Sequence, residues 1–214
     1  MATRTVIVAG ATGLVGRELL SGLLADPSVA AVHSLGRRVP PEPHPKLTAH
    51  VVDFAALPDL PRADEVYLAL GTTIRVAGSQ AAFRAVDYEA NLAVAKAALA
   101  AGAKRVGLVS AMGADSKSKV FYSRVKGELE DALASMPFEG VVFARPSLLV
   151  GDREVLGQPT RQGEVLGSAL GKVVGFLIPA NYKPIDASAV ASALLSAAPS
   201  AQGRTVLLSG AMRR

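Results

Sequence analysis

The sequence contains no cysteine. Disulfides and thiolate metal sites are therefore excluded, and the chain fits a reducing compartment. Aromatic residues make up only 5%, and no Lys/Arg-rich block gathers the net charge of +5 into one place. The basic balance therefore reads as ordinary surface charge and not as a nucleic-acid footprint. No apolar stretch reaches the roughly 18 residues that a membrane span requires. Only four apolar residues, Val6 to Ala9, stand between Thr5 and Gly10, too few for the apolar centre of a secretory signal. These absences lead to the expectation of a cytoplasmic protein with no metal, nucleic-acid or membrane partner. Internal repeats, linkers and low-complexity tracts are also missing. A chain of 214 residues, half of them hydrophobic, is expected to form one domain, residues 1–214.

Strand-like and helix-like runs alternate along the chain. "TRTVIVAG", Val29 to Gly36, Leu47 to Asp53, Asp64 to Leu70, Lys104 to Ser110 and Gly140 to Pro146 read as short, continuously apolar strands. Leu14 to Leu24, Gln80 to Ala100 and Val120 to Ala134 carry helical spacing. Buried strands separated by helices predict an α/β fold, a doubly wound parallel sheet of Rossmann type. After Pro146 the pattern weakens. Gly151 to Gly175 is rich in glycine and polar residues, Asp186 to Ala198 reads as a helix, and Thr205 to Leu208 as a late strand. This part, 147–214, is expected to cap the site and supply substrate-side elements. The helices at 80–100 and 120–134 suit pairing within one chain or between two, which leaves the oligomeric state open.

The stretch "VIVAGATGLVG" places Gly10, Gly13 and Gly16 after the first strand and before a helix. Such a turn lets backbone pass close to a pyrophosphate, and the helix N-terminus offers free N–H groups and a positive dipole end. Gly13 is expected to make the closest approach, where a branched side chain would block phosphate and any positive φ would add a penalty. The second strand runs into "HSLGRRVPPEP", with no carboxylate between Asp26 and Glu42. An acid near that point commonly holds the ribose 2′-OH of NAD. Arg37 and Arg38 stand there instead, and a guanidinium fork suits a 2′-phosphate. NADP(H) is the expected cofactor.

"VFYSRVKGELE" holds Tyr122 and Lys126 four residues apart. On a helix both side chains share one face, and a nearby ammonium favours the phenolate, which suits proton transfer to or from a carbonyl oxygen.

Together these residues resemble the short-chain dehydrogenase/reductase superfamily in its extended or atypical branch. More narrowly the chain is similar to the HIV Tat-interactive protein-like oxidoreductases and their bacterial relatives. The likeness rests on "VAGATGLVGREL", "LGRR", "VVDF", "LGTTIRVAGS", "VSAMGADSKSKVFYSRVKGELE" and "ARPSLLVGDRE". It implies a Rossmann fold binding NADP(H), with Thr12, Gly13, Leu14 and Val15 along the pyrophosphate and Arg37 and Arg38 on the 2′-phosphate. It further implies Asp53 by the adenine, Leu70, Gly71 and Thr72 along the ribose and phosphate path, and Leu149 near the nicotinamide. Tyr122 would carry the proton and Lys126 would hold the nicotinamide ribose. Relatives often carry two hydroxyls after the fifth strand, the second of them catalytic. Here that second position is Ala111, so either Ser110 serves in its place or the hydrogen bond is absent.

The expected function is therefore hydride transfer between NADP(H) and a small carbonyl or alcohol substrate. The alternative is a regulatory or redox-sensing protein that binds NADPH with little turnover. Nucleotide-sugar epimerisation uses the same machinery, but the residues after Gly151, about 60 in number, are few for the larger substrate lobe it needs.

Overall fold

The computed structural model describes residues 3–150 and 179–213. In chain order the elements are β1 (Arg4–Ala9), α1 (Leu14–Ala25), β2 (Val29–Gly36), β3 (Leu47–Val51), β4 (Glu65–Leu68), α2 (Ile74–Ala77) and α3 (Gln80–Arg84). A π-helical turn (Ala85–Ala90) follows, then α4 (Asn91–Ala100), β5 (Arg105–Val109), α5 (Phe121–Ala134), β6 (Gly140–Arg145) and β7 (Leu149–Val150). The chain closes with β8 (Ile185–Asp186), α6 (Ala187–Ala197) and β9 (Gly203–Leu208). The expected Gly151 to Gly175 region lies outside the described residues.

Among the described residues, seven strands form one sheet in the order β3-β2-β1-β4-β5-β6-β9, and β7 pairs with β8 separately. Every neighbouring pair in the large sheet is parallel. This is the doubly wound Rossmann arrangement expected from the strand and helix pattern. Parallel strands are joined by crossovers that cover both faces, so each strand must be apolar on both sides. In β1, Val6 and Val8 face a core shared with Leu19 and Leu23 of α1 and Val190 and Leu194 of α6. Ile7 and Ala9 face the other core, with Val94 and Ala98 of α4 and Leu129 and Leu133 of α5. All four β1 residues are fully buried. The link from β3 to β4 has no helix; Val52, Phe54, Leu57 and Leu60 lay an irregular chain over the second core instead.

The long helix expected over 80–100 is divided by the π-helical turn. A short helix, α2, stands before it, started by Thr73, whose hydroxyl accepts from the Val76 N–H at 3.1 Å, and stopped by Gly78 in the left-handed region at φ +83°. Neither feature changes hydrophobic spacing enough to be read from the sequence.

At the β2–β3 edge, His33 Nδ1 and His50 Nε2 lie 3.1 Å apart. One nitrogen donates and the other accepts, so the contact needs both rings neutral or a single shared charge. Burial, and then the charge of His50, push His33 below the ordinary histidine value. A histidine depressed in the fold takes up protons more readily when unfolded, so stability falls as pH drops below the unfolded value of about 6.5. The expected result is a melting temperature lower at pH 5.5 than at pH 7.5, by about 2–4 °C per kcal/mol lost. His50→Gln should flatten the dependence in a thermal scan at both pH values; an unchanged slope would remove this pair as its source.

Candidate dinucleotide site

The order of the sheet reverses between β1 and β4. In open α/β sheets a crevice forms outside the carboxyl ends of the strands at such a point. Here it is a cleft of about 1210 Å³. Gly13, Leu14 and Val15 form its floor, Arg37 and Arg38 one end, and Leu70, Gly71 and Thr72 a side. Tyr122, Lys126, Ser110 and Leu149 also line it. The fold thus gathers most of the residues singled out in the sequence, although they come from six separate segments.

The glycine turn divides into two kinds of position. Gly10 has φ +87°, and a Cβ there would lie 2.6 Å from the carbonyl oxygen of Ala69. A Cβ on Gly16 would run into the Gly10 carbonyl. These two glycines let α1 press against the ends of β1 and β4, and neither lines the cleft. Gly13 does line it, with an ordinary φ of −83°. The positive φ considered for Gly13 is therefore found at Gly10. Gly13 is the N-cap of α1 and has no side chain to cap with. The N–H groups of Leu14, Val15 and Gly16 have no carbonyl four residues back within the helix, and the Gly13 carbonyl serves Arg17 at 3.0 Å. An uncapped N-terminus facing a cleft with two exposed guanidinium groups at one end suits a dinucleotide pyrophosphate.

Beyond Gly10 and Gly16, two further expected cofactor residues stand outside the cleft lining. Thr12 is not part of the cleft lining. Asp53 is exposed, and its carboxylate accepts from the Ala55 N–H at 3.0 Å. It closes a local turn, as aspartate does where its side chain reaches the backbone two residues on.

Tyr122 and Lys126 share the inner face of α5. The Tyr122 ring packs on Phe83, with centroids 5.5 Å apart. Lys126 is 4% exposed, and its Nζ lies 2.8 Å from Asp87 Oδ1. Burial alone would push this ammonium down, but the charges of Asp87 and then Tyr122 outweigh it and hold Lys126 above its ordinary value. Lys126 is therefore a fixed cation. The other oxygen of Asp87 accepts from the Thr72 N–H at 2.8 Å. Asn91, fully buried, donates through Nδ2 to the carbonyls of Leu70 at 3.1 Å and Val86 at 3.2 Å. Asp87 thus ties the cleft wall at Thr72 to the helix that carries Tyr122, and Asn91 ties Leu70 to the π-helical turn.

Sequence reasoning missed both residues. Each lies in a helical run among other polar residues, Arg84 and Glu89, where a polar side chain reads as solvent-facing, and the π-helical turn that directs Asp87 inward leaves no trace in the spacing. Arg75 of α2, which lines the cleft and is exposed, was also unanticipated. Ser110 reaches the cleft wall, but its hydroxyl donates to Glu130 Oε1 at 2.6 Å. The hydroxyl considered for a catalytic part is thus held by a buried carboxylate. Ala111, the next cleft residue, offers no hydroxyl.

Fold and cleft together define an NAD(P)-binding Rossmann-type domain with an oxidoreductase-like architecture. The comparisons agree. A family described as NAD(P)H-binding matches residues 10–138, and the chain belongs to that family. Its relatives include the mitochondrial protein fmp52 of Emericella nidulans, 37% identical over 178 residues, spanning 78% of this chain and 76% of the relative. The mitochondrial protein FMP52 of Candida albicans is 34% identical over 199 residues, 87% of this chain and 84% of that one. Among solved structures, MoeE5 in complex with UDP-glucose and NAD superposes with a TM-score of 0.70 at 19% identity, covering 95% of this chain and 75% of that one. A short chain dehydrogenase family protein from Francisella tularensis reaches 0.71 at 12% identity, with both chains fully covered. At such identities these two likenesses establish the fold.

The relatives are named as mitochondrial proteins, which overturns the expectation of a cytoplasmic protein. The absence of cysteine excluded disulfides but does not separate one compartment from another. No helix among the described residues is long and apolar enough to cross a membrane.

Proposed function

We propose that the protein is an NADP(H)-dependent oxidoreductase of the short-chain dehydrogenase/reductase type, acting between a small carbonyl compound and its alcohol. The narrower likeness to the HIV Tat-interactive protein-like oxidoreductases belongs to the same proposal and rests on the motifs quoted above. The observation that carries it is the convergence of the uncapped glycine turn with Tyr122 and Lys126 on one cleft. The 1–214 chain is read as one domain, whose part after Pro146 contributes Ser147, Leu148 and Leu149 to the cleft wall.

Gly13, Leu14 and Val15 would hold the pyrophosphate, Leu70, Gly71 and Thr72 the ribose path, and Leu149 the nicotinamide side. Arg37 and Arg38 would take the 2′-phosphate; apart from Asp87, already paired with Lys126, no carboxylate lines the cleft among the described residues. When bound, NADPH supplies the hydride. Tyr122 gives its hydroxyl proton to the substrate oxygen as charge develops there, and recovers it in the reverse direction. Lys126, held by Asp87, keeps a positive charge beside that exchange and would hold the ribose hydroxyls. The aliphatic side chains of Val86, Met112 and Leu148 on the cleft wall limit water around the reacting carbonyl.

Charge-assisted hydrogen bonds are worth about 1.5–3 kcal/mol each, so losing one guanidinium fork costs roughly ten- to a hundredfold in affinity. Arg37→Ala is expected to weaken NADPH by that factor and NADH far less. Calorimetric titration of both cofactors tests it, and equal affinity for the two in the parent protein would remove the NADP assignment.

A second reading, an NADPH-binding regulatory or redox-sensing protein with little turnover, is favoured by one observation. The cleft presents Ala111 where relatives often carry a hydroxyl, and Ser110 is engaged by Glu130.

A further inference from the structure

Glu130 is fully buried and sits on α5 one turn beyond Lys126 and two beyond Tyr122. Its carboxylate gathers three partners besides its own helix. Oε1 accepts from the Ser110 hydroxyl at 2.6 Å and from Arg145 Nε at 3.0 Å. Oε2 accepts from Arg145 Nη2 at 2.7 Å and from Arg204 Nη2 at 3.3 Å. Arg145 thus closes a two-pronged fork on the carboxylate, the geometry that fixes orientation as well as distance. A buried carboxylate is tolerated only when it is paired and hydrogen-bonded; here Ser110 and Arg145 come from the carboxyl ends of β5 and β6, and Arg204 from the start of β9.

Those strand ends are significant. Ser110 directly follows β5 and leads into Ala111 and Met112, which line the cleft. Arg145 ends β6 and leads directly into Pro146, Ser147, Leu148 and Leu149, which line the cleft beside them, the Met112 N–H donating to the Pro146 carbonyl at 2.8 Å. Glu130 itself belongs to the helix that supplies Tyr122 and Lys126. One carboxylate therefore joins three cleft-lining segments, those after β5 and β6 and the helix α5. It has no contact with the other end, where Gly13, Arg37 and Arg38 lie.

We infer that Glu130 is a positioning residue for the nicotinamide half of the cleft, holding the segments after β5 and β6 in register with the face of α5 that carries Tyr122 and Lys126. The inference rests on the dinucleotide orientation proposed above. It touches neither substrate nor cofactor and acts through Ser110 and Arg145.

The division of the cleft supplies the test. NADPH spans both halves, whereas adenosine 2′,5′-bisphosphate occupies only the adenine half. Glu130→Gln keeps the shape and removes the charge. The expected result is a loss of about tenfold in NADPH affinity, roughly 1.4 kcal/mol, with bisphosphate affinity unchanged within about twofold, both by calorimetry, and a cooperative thermal transition retained. Equal weakening of both ligands would mean a general loosening of the fold and would overturn the inference, as would no change in either. Should Glu130→Gln not fold, Arg145→Lys decides in its place: it keeps the charge, breaks the fork, and must show the same split between the two ligands. A parent protein that prefers NADH ends the NADP assignment alone; the comparison is then made with NADH and ADP.

Discussion

Replacing Tyr122 by phenylalanine is expected to lower turnover of a carbonyl substrate by about 10²–10⁴-fold, the usual contribution of a positioned acid or base, while leaving NADPH affinity nearly unchanged. The substitution removes one hydroxyl and keeps the ring. That ring rests on Phe83 at 5.5 Å between centroids, so its packing survives. Lys126 does not depend on the hydroxyl for its position either, because Asp87 holds its Nζ at 2.8 Å. Nothing else described in the cleft replaces the lost proton. Lys126 is held above its ordinary value and is a poor acid near neutral pH, no histidine lines the cleft, and the Ser110 hydroxyl is bound to Glu130. NADPH oxidation followed over a panel of aldehydes, ketones and quinones, beside cofactor titrations of parent and variant, measures both effects. An active parent with an equally active variant would take Tyr122 out of the mechanism. A parent that binds NADPH tightly and turns over no member of the panel would shift the weight to the regulatory reading.

The same experiment gives meaning to Ala111. If the parent is slow, Ala111→Ser restores a hydroxyl at the end of β5 in a position that lines the cleft. Successive side chains of extended backbone point to opposite sides. Ser110 therefore cannot supply this group while it donates to Glu130 on its own side.

Strands and helices were legible because parallel strands covered on both faces must be apolar throughout, and because Leu19, Leu20 and Leu23 repeat at helical spacing. Tyr122 and Lys126 were legible because four residues is one turn of helix. Other features were beyond the reach of spacing. Asp87 looks like any polar residue on a helix, and only the π-helical turn over Ala85–Ala90 and its pairing with Lys126 reveal that it is 1% exposed. Glu130 likewise reads as a solvated charge in "VKGELEDAL", since its partners Ser110, Arg145 and Arg204 are brought together only by the sheet. Asp53 is a different case: only the resemblance pointed to it, and in the fold its carboxylate accepts from the backbone N–H of Ala55, two residues on.

Within the glycine turn, the two kinds of position predict opposite outcomes. Gly16→Ala places a Cβ against the Gly10 carbonyl, and Gly10 cannot yield easily. Its φ of +87° is in the region L side chains rarely adopt, and its own α-carbon faces the Ala69 carbonyl, which a Cβ there would approach to 2.6 Å. Relief would require α1 to move off the ends of β1 and β4, opening the core around Val15 and Leu19, which are 5% and 0% exposed. Overpacking of this kind costs about 1–3 kcal/mol and occasionally more; with backbone on both sides of the clash the upper value, about 3 kcal/mol, is expected, a fall of roughly 6–12 °C in melting temperature. Gly13→Val acts differently. At φ −83° and ψ 173° valine meets no backbone penalty, and its Cβ would stand 3.3 Å from the Gly10 oxygen, a tight contact that a shift of a few tenths of an ångström at position 13 itself relieves, with Gly10 left in place. The fold should be retained within about 1 kcal/mol, by the same reasoning on small packing shifts. The side chain would, however, stand on the floor of the cleft, where the pyrophosphate must approach backbone N–H groups. Loss of NADPH binding by calorimetry, with a normal thermal transition, is the expected result for Gly13→Val, and a lowered transition is the expected result for Gly16→Ala. Unchanged NADPH binding by folded Gly13→Val would make the whole turn a packing device and move the dinucleotide elsewhere.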